Sequence, residues 1–350
     1  MTILFAVILF SILIFVHELG HFLAAKASNV QVNEFAMFMG PALWKKQKGE
    51  TLYSIRCIPL GGYCAMEGED TDSDNPRSFQ KAAWWKRLII LVAGSAMNFL
   101  IGLLIMLIVY MPAKNFVTPV ISHFEEGCAL HSESGLQLGD RFVSIDGEKI
   151  YVQSDVNMIL SLNGGDVHDL VVERDGKLVT LNDFVMTKQV FGDEKSARYG
   201  FSFSVEKATF GNKLQYTWNS SINVVRTVRL SLQMLLTGKA GLSDVTGPVG
   251  IVQQMSDLAE ASPTWIDALF NMLYFGGFIA INLAVMNLLP IPALDGGRVV
   301  ALLLTTVVEA ITHKKIDPKY EGYIHGVGMI ILFALMALIL FKDIFVIFRG

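Results

Sequence analysis

Two histidines and a glutamate near the N-terminus have the spacing of a metal site. Residues 17–21 read HELGH, so His17 and His21 are four residues apart. On an α-helix this spacing puts both imidazoles on one face. Glu18 could reach a water on the metal without being a ligand itself. The pattern predicts a catalytic zinc ion that activates water for hydrolysis. The alternative is a pair of histidines satisfied within a helix bundle.

Two histidines leave zinc under-coordinated, because catalytic zinc usually has three protein ligands and a water. The best candidate for the third ligand is Asp295, in the segment NLLPIPALDGGR. The two prolines of this segment prevent a continuous helix, and its two consecutive glycines allow a close backbone approach. Alternatively, Asp295 caps the helix that follows. Asn287, eight residues earlier, could contact substrate or stabilise an oxyanion, or could make an interhelical hydrogen bond.

The candidate ligands lie in strongly apolar sequence. Of the 350 residues, 52% are hydrophobic and 17% are charged, an excess that indicates membrane spans. Four segments are long enough to cross a bilayer: Thr2 to about Ala25, Leu88 to Met111, Ala268 to about Leu289, and about Tyr323 to Phe341. The run Val299 to Val308 is too short and is expected at the interface or beside the other helices. The first segment lacks the basic flank and the clean cleavage site of a signal peptide.

Charge and cysteine content exclude other classes of protein. The net charge of −4 gives no sign of a nucleic-acid partner. The three cysteines, Cys57, Cys64 and Cys128, are too few and too irregularly placed for a disulfide framework and are interpreted as packing residues. We therefore expect a polytopic α-helical membrane protein with an inserted β-rich domain.

Basic residues beside the spans predict their orientation, because cytoplasmic loops carry an excess of lysine and arginine. Such residues follow the first span, precede the second and follow the third: Lys26, Lys45, Lys46, Lys48 and Arg56; Lys81, Lys86 and Arg87; Lys314, Lys315 and Lys319. The N-terminus, the segment from Pro112 to about Trp265 and the C-terminus are then outside the cytoplasm. HELGH lies towards the cytoplasmic end of the first helix.

The outward segment has the composition of a globular domain. Ser134 to Ile150 and His168 to Leu181 each contain a strand, an Asp-Gly turn and a second strand, and Val152 to Leu162 can form a helix. This order resembles a bacterial PDZ domain covering about Val117 to Val205, which would bind extended peptide at a sheet edge. The alternative is a β-rich spacer that binds nothing. Asn212 to Leu236 predicts an amphipathic helix leading back to the membrane.

Three shorter stretches complete the pattern. Thr51 to Tyr63 favours a β-hairpin or an exposed strand edge near the membrane. GSAMN, residues 94–98, has small residues spaced for close helix packing and is interpreted as mainly structural. TGPVGI, residues 246–251, is loop-like, and no role follows from its composition. The predicted divisions are two membrane halves (1–111 and 268–350), the PDZ-like insert (117–205) and a helical connector (212–265).

Together these motifs resemble the site-2 protease family of intramembrane zinc metalloproteases, in the bacterial regulator-of-sigma-E type with one PDZ domain. The motifs that carry the resemblance extend over nearly the whole chain: HELGH, IPLGGY at 58–63, GSAMNF at 94–99, the insert, TGPVGI, and NLLPIPALDGGR at 287–298. One difference concerns the loop after the first span. Relatives usually carry Gly-x-Gly-Pro there, whereas this chain has Phe38 at the position of the first glycine.

The resemblance implies a mechanism and a class of substrate. His17, His21 and Asp295 would bind one Zn²⁺ ion, Glu18 would be the catalytic base, and Asn287 would face the substrate. The hairpin of residues 51–63 would pair with an unwound substrate. The expected reaction is cleavage of single-pass proteins within the bacterial cell membrane, with anti-sigma factors or remnant signal peptides as substrates.

Two other functional classes are alternatives to this reading. A metal transporter would also place histidines and an aspartate in a membrane, but it would not need Glu18 and would favour inverted repeats. A non-catalytic PDZ scaffold would leave the intramembrane ionisable cluster unexplained.

Overall fold

We describe a computed structural model of the chain, covering residues 2–69, 71–192, 196–241, 245–313 and 319–349. Lys314 and Lys315, two of the residues used to predict orientation, lie outside the described residues. The helices are α1 Thr2–Ala27, α2 Trp84–Tyr110, α3 Ser154–Asn163, α4 Phe210–Leu236, α5 Pro248–Glu260, α6 Trp265–Asn287, α7 Asp295–Thr312 and α8 Lys319–Arg349. The strands are β1 Val32–Lys48, β2 Thr51–Met66, β3 Asn115–Phe124, β4 Arg141–Ile145, β5 Glu148–Lys149, β6 Val167–Arg174, β7 Lys177–Val185 and β8 Phe201–Lys207. The chain divides into two compact units, residues 1–106 with 224–350, and residues 107–223.

The four predicted spans are confirmed as helices. The stretches long and apolar enough to cross a membrane, among the described residues, are Thr2–Ala27, Trp84–Tyr110, Trp265–Asn287 and Gly322–Asp343. Their outward faces are apolar: Ile3 of α1 and Ile330 of α8 are 69% and 70% exposed. Helices satisfy their own backbone hydrogen bonds, and apolar outer faces suit a lipid solvent. The chain is therefore a multi-pass membrane protein.

Helices α1 and α2 approach very closely at small residues. A Cβ atom added to Gly20 of α1 would lie 2.4 Å from the carbonyl oxygen of Ala93 and 2.9 Å from Cα of Gly94. Real Cβ contacts are not this short, and the neighbouring atoms are backbone that cannot turn aside. The close-packing prediction for the GSAMN stretch is confirmed, and the crossing brings α2 against the HELGH face of α1.

Between these helices the chain forms a larger hairpin than the sequence predicted. Strand β2 covers the predicted stretch, but its partner β1 was missed. The register shifts along the pair, so that residues 34–37 of β1 have partners at 52–55 and again at 62–65. Residues 62–65 therefore form an outer edge of this sheet. Arg56 stabilises this folded-over hairpin. Its guanidinium donates to Glu34 Oε1 and to the carbonyl oxygen of Gly40, both at 2.7 Å.

The second unit contains an antiparallel β-sheet with helix α3 packed against it, as predicted from its strand and turn signals. Its sheet order is β7-β6-β4-β3-β8, with β5 paired to β4. The two Asp-Gly turns have positive φ at both residues: 51° and 79° at Asp146-Gly147, and 51° and 75° at Asp175-Gly176. This conformation is that of the tight hairpin turns the dipeptides favour. Phe142, Ile159 and Leu170 lie in the core beneath the sheet.

The prediction that TGPVGI is loop-like was wrong for its last four residues, because helix α5 begins at Pro248. Proline is favourable in the first turn of a helix, where its missing N–H would have no intrahelical partner. The carboxylate of Asp343, far along the chain, accepts a hydrogen bond from the first turn of this helix. Asp343 Oδ2 accepts from the backbone N–H of Gly250 at 3.1 Å, and Lys342 Nζ donates to the carbonyl oxygen of Val245 at 2.7 Å. A contact over 93 residues could not be predicted from local sequence.

Candidate metal centre

The structure brings the three predicted metal-binding residues together. Nε2 of His17 and Nε2 of His21 lie 3.2 Å apart, and Asp295 Oδ2 lies 3.2 Å from the first and 3.3 Å from the second. The three atoms form a nearly equilateral triangle. Their side chains are largely enclosed by protein. His17, His21 and Asp295 could therefore hold a metal ion.

The size of this triangle fits zinc. Zinc binds histidine nitrogen and carboxylate oxygen at about 2.0–2.1 Å, so two ligands of a tetrahedral site are separated by about 3.3–3.4 Å. The observed separations of 3.2–3.3 Å are close to this value. Asp295 Oδ2 is also buried, and among the described residues it makes no well-formed hydrogen bond. A buried carboxylate oxygen facing two ring nitrogens without a bonded donor is the arrangement that a cation would satisfy.

The second nitrogen of each histidine faces a different partner. His21 Nδ1 lies 2.8 Å from the carbonyl oxygen of Ile90 in α2, so Nδ1–H donates there and Nε2 faces the triangle. His17 Nδ1 faces two amides, with Nδ2 of Asn98 and of Asn287 each at 3.5 Å. The predicted site residue Asn287 is therefore at the centre, and Asn98 was not recognised from the sequence.

Asp295 reaches the centre because the chain is broken between α6 and α7. The predicted break is confirmed: residues 288–294 are not helical, and Asp295 is the first residue of α7. Leu294 is the N-cap residue of that helix, so the capping alternative for Asp295 was wrong. A Cβ added to Gly296 would lie 2.2 Å from the carbonyl oxygen of Leu288, and one on Gly297 would lie 2.3 Å from that of Ile291. The two glycines let the broken segment fold directly over the start of α7.

Helix α8 supports this segment from the other side. The backbone N–H of Ala293 donates to Nδ1 of the buried His325 at 3.1 Å. Ala293 has φ of +81°, a strained value for a residue with a side chain, and this bond holds it in place. A Cβ at Gly328, one turn later, would lie 2.4 Å from Pro292 Cβ. Neither His325 nor Gly328 belongs to a motif recognised from the sequence; a histidine in an apolar span is the signal that could have indicated the first.

Glu18 lies between the candidate ligands and the edge of β2. A Cβ at Gly62 would lie 3.2 Å from Glu18 Cγ, so this glycine lets the strand pass close to the glutamate. The backbone N–H of Cys64 lies close to the Glu18 carboxylate. Just after the end of β2, Glu69 forms an ion pair with Arg298 of α7. Arg298 lies three residues after Asp295. The hairpin is thus attached both to the HELGH helix and to the helix that carries Asp295.

Comparisons with known proteins agree with this site. The model of peptidase family M50 matches residues 5–335. A protein of Clostridium acetobutylicum assigned as a zinc metalloprotease is 35% identical over 344 residues, which cover 98% of this chain and 97% of that protein. The regulator of sigma-W protease RasP of Bacillus subtilis is 27% identical over 430 aligned residues, 98% of either chain. The chain therefore belongs to peptidase family M50, the site-2 protease family, and is a zinc metalloprotease.

Proposed function

We propose that this protease cuts single-pass membrane proteins within their transmembrane segments, using one zinc ion held by His17, His21 and Asp295. The observation that carries the proposal is the triangle of ligand atoms between an apolar spanning helix, α1, and the break that follows α6. A hydrolytic centre on these elements lies within the membrane-spanning part of the chain. Its substrates are then peptide bonds that are themselves within or next to the bilayer.

Each residue of the centre has a chemical role in this proposal. When bound, zinc supplies Lewis-acid chemistry, which acidifies water and polarises the scissile carbonyl. Glu18 takes a proton from the attacking water and delivers it to the leaving amine nitrogen. The backbone N–H of Cys64, which lies close to the Glu18 carboxylate, helps to orient it for this transfer. Asn287 donates its amide N–H to the substrate carbonyl as negative charge develops on its oxygen.

The hairpin edge provides a place for the substrate backbone. A transmembrane helix has all its amides paired internally, so a segment must unwind before it can be cut. Residues 62–65 of β2 form an outer edge beside Glu18. An unwound segment could add to this edge as an extra strand, which would recover its backbone hydrogen bonds and align it with the metal centre.

The membrane topology and substrates follow the sequence expectations. In this proposal the protein lies in a bacterial cell membrane, with its N-terminus, residues 112–265 and C-terminus outside the cytoplasm. The insert, residues 117–205, acts as a PDZ-like domain that excludes substrates with bulky ectodomains. Substrates are anti-sigma factors or remnant signal peptides already trimmed outside the membrane. A relative named as a regulator of sigma-W protease supports the first of these classes.

Glu18→Gln tests the mechanism. We expect the purified variant to bind zinc like the wild type, since Glu18 is not a ligand, and to lose cleavage of a single-pass model substrate tagged at both ends. Glu260→Gln, which changes an exposed glutamate at the end of α5, is the matched control and should cleave normally. Undiminished cleavage by Glu18→Gln would overturn the assigned role.

The third ligand is tested separately by zinc analysis. Asp295→Asn should lower the zinc content of the purified protein, because a neutral amide is a poorer ligand than a carboxylate. A wild-type stoichiometry in this variant would remove Asp295 from the ligand set. Quantitative proteomics of membranes containing wild type or Glu18→Gln would then identify substrates as accumulating single-pass precursors.

A further inference from the structure

We infer that Asn98 is a positioning residue for the metal centre: its amide oxygen accepts the Nδ1–H of His17 and so directs Nε2 of that ring to the zinc ion. The inference rests on the proposed role of His17 as a ligand. It gives the GSAMN stretch, which the sequence indicated only as a packing motif, a second role as the outer wall of the metal site.

One face of α2 lies against both histidines. A Cβ at Gly94 would lie 2.3 Å from His21 Nε2 and 2.8 Å from His17 Cε1, so only glycine leaves room for the rings. The residues one turn before and one turn after Gly94 contact the outer nitrogens. The Ile90 carbonyl oxygen is 2.8 Å from His21 Nδ1, and the Asn98 amide is 3.5 Å from His17 Nδ1. Positions 90, 94 and 98 share one face of the helix.

The chemistry of a neutral imidazole defines what Asn98 must do. A histidine that binds a metal through Nε2 carries its hydrogen on Nδ1, and that hydrogen needs an acceptor to fix the tautomer and the ring orientation. For His21 the acceptor is the Ile90 carbonyl. For His17 the neighbouring amides are the acceptors within reach among the described residues.

Asn98 has an oxygen available for this bond. The residue is only 2% exposed, and its Oδ1 is buried without a hydrogen-bond donor among the described residues. Rotating the amide by 180° about Cβ–Cγ exchanges Oδ1 and Nδ2 without moving any other heavy atom. The rotated amide gives Oδ1 a donor and gives His17 Nδ1–H an acceptor, and it moves Nδ2 to the former place of Oδ1.

Asn287 is the competing acceptor, and its position favours another role. His17 has a single Nδ1–H, and two amides lie at the same 3.5 Å distance. Asn98 is enclosed within the helix pair, whereas Asn287 is partly exposed at the last residue of α6, beside the break. The enclosed amide cannot reach a substrate, but the partly exposed one can. Asn98 thus orients the ligand and leaves the Asn287 N–H for the substrate.

Zinc affinity, measured on the purified full-length protein by competition with a chromophoric chelator, tests the inference. Asn98→Leu keeps the size of the side chain but removes the acceptor, and we expect zinc to bind about 10–100-fold more weakly. Asn98→Asp keeps an acceptor oxygen at the same place and should bind zinc no more than threefold more weakly than the wild type. The visible spectrum of the Co²⁺-substituted protein should change in Asn98→Leu and remain unchanged in Asn98→Asp.

Matched variants separate positioning from packing and from substrate contact. Ser95→Ala changes another buried polar residue of α2 and should leave zinc affinity unchanged. Asn287→Leu should also retain zinc affinity but lower kcat. Asn98→Ala removes the acceptor without adding bulk, so it provides the same test should Asn98→Leu fold poorly.

Several outcomes would overturn the inference. These are wild-type zinc affinity in both Asn98→Leu and Asn98→Ala, an equal loss of affinity in Asn98→Asp, or a loss in Asn287→Leu in place of Asn98→Leu. Failure of the proposed function gives a different result. His17→Ala would then bind zinc like the wild type, whereas a failed positioning role leaves His17→Ala deficient.

Discussion

The two segments that carry the metal-binding residues are held in place in different ways. In α1, consecutive backbone hydrogen bonds of the helix set the spacing between His17 and His21. Asp295 follows a seven-residue break, and its position depends on packing across that break and on contacts with distant parts of the chain. These contacts are the close packing at Gly296, the bond from Ala293 to His325, and the ion pair of Arg298 with Glu69.

This difference predicts which substitutions should weaken metal binding. A change outside HELGH can weaken the packing of α1 while the helix still presents both imidazoles on one face. A change around the break moves Asp295 itself, because its position is set by the packing of the break and not by a continuous helix. We therefore expect metal affinity to be sensitive to the surroundings of Asp295 and less sensitive to the surroundings of α1, except where α2 contacts the rings.

The largest effect is expected at Gly296. In Gly296→Ala the new Cβ would lie 2.2 Å from the Leu288 carbonyl oxygen and 2.3 Å from that of Leu289, and both are backbone atoms. Asp295 must then move away from the histidines, so zinc affinity should fall by more than about 100-fold and cleavage should be lost. Gly326→Ala in α8, where a Cβ meets no described atom within 4 Å, is the control. Equal zinc affinity in the two variants would contradict this account of the break.

A smaller effect is expected at His325, which touches the break but not the candidate ligands. His325→Phe keeps a ring but removes the acceptor for Ala293 N–H, so zinc should bind several-fold more weakly. In His325→Asn the side-chain oxygen can replace Nδ1 and should restore most of the affinity. Measured by chelator competition, an equal loss in both variants would indicate packing instead of the hydrogen bond.

The sequence predicted the local part of this site far better than the distant part. HELGH is one helical turn, and the break in NLLPIPALDGG follows from its prolines, so the metal-binding triad was predicted from residue types. The supports of Asp295 were missed because His325 and Glu69 act over 32 and 229 residues. Strand β1 was missed for another reason. Residues 34–37 near its start pair on both sides, the register shifts further along, and buried and exposed positions do not alternate regularly.

A change near α1 should have the opposite result, a loss of stability without a loss of zinc affinity. Near the end of this helix Lys26 donates to Glu50 Oε1 at 2.6 Å, and Arg77 donates to both carboxylate oxygens. Hydrogen bonds from Arg77 and then Lys26 lower the pKa of Glu50 to about 2. We expect Glu50→Gln to lower the melting temperature by about 2–4 °C while zinc affinity stays within twofold of the wild type, because HELGH keeps its helical geometry.

The stabilisation by Glu50 should depend on pH in a defined direction. A carboxylate whose folded pKa is lowered stabilises the protein above its unfolded pKa, about 4.3 for glutamate, and loses this contribution as pH falls through the folded value. The difference in melting temperature between wild type and Glu50→Gln should therefore be constant above about pH 5 and shrink between about pH 4.3 and pH 2. Thermal unfolding in detergent at several pH values measures it. A difference that grows towards low pH would exclude the assigned ion pairs.

The smallest expected effect is on stability and comes from backbone strain. Strained residues lie beside both segments that carry the metal-binding residues: Ala293 in the break and Phe38 in the hairpin. Phe38, where the resemblance to the family leads us to expect a glycine, has φ of +71°, and Gly40 has +84°. A positive φ is unfavourable by about 1–2 kcal/mol for residues other than glycine. Phe38→Gly and Phe38→Ala remove the same ring contacts, so their difference reports the backbone alone. We expect the glycine variant to be the more stable by about 1 kcal/mol.

At an ordinary strand position the order is reversed, since glycine is about 0.5–1 kcal/mol less favourable than alanine there. The exposed Lys46 of β1, which lies opposite Tyr53 in the regular part of the ladder, supplies this control, and Lys46→Gly should be less stable than Lys46→Ala. Melting temperatures of the four variants in detergent give both comparisons. If Phe38→Ala were the more stable of its pair, the strained turn would be absent from the folded protein.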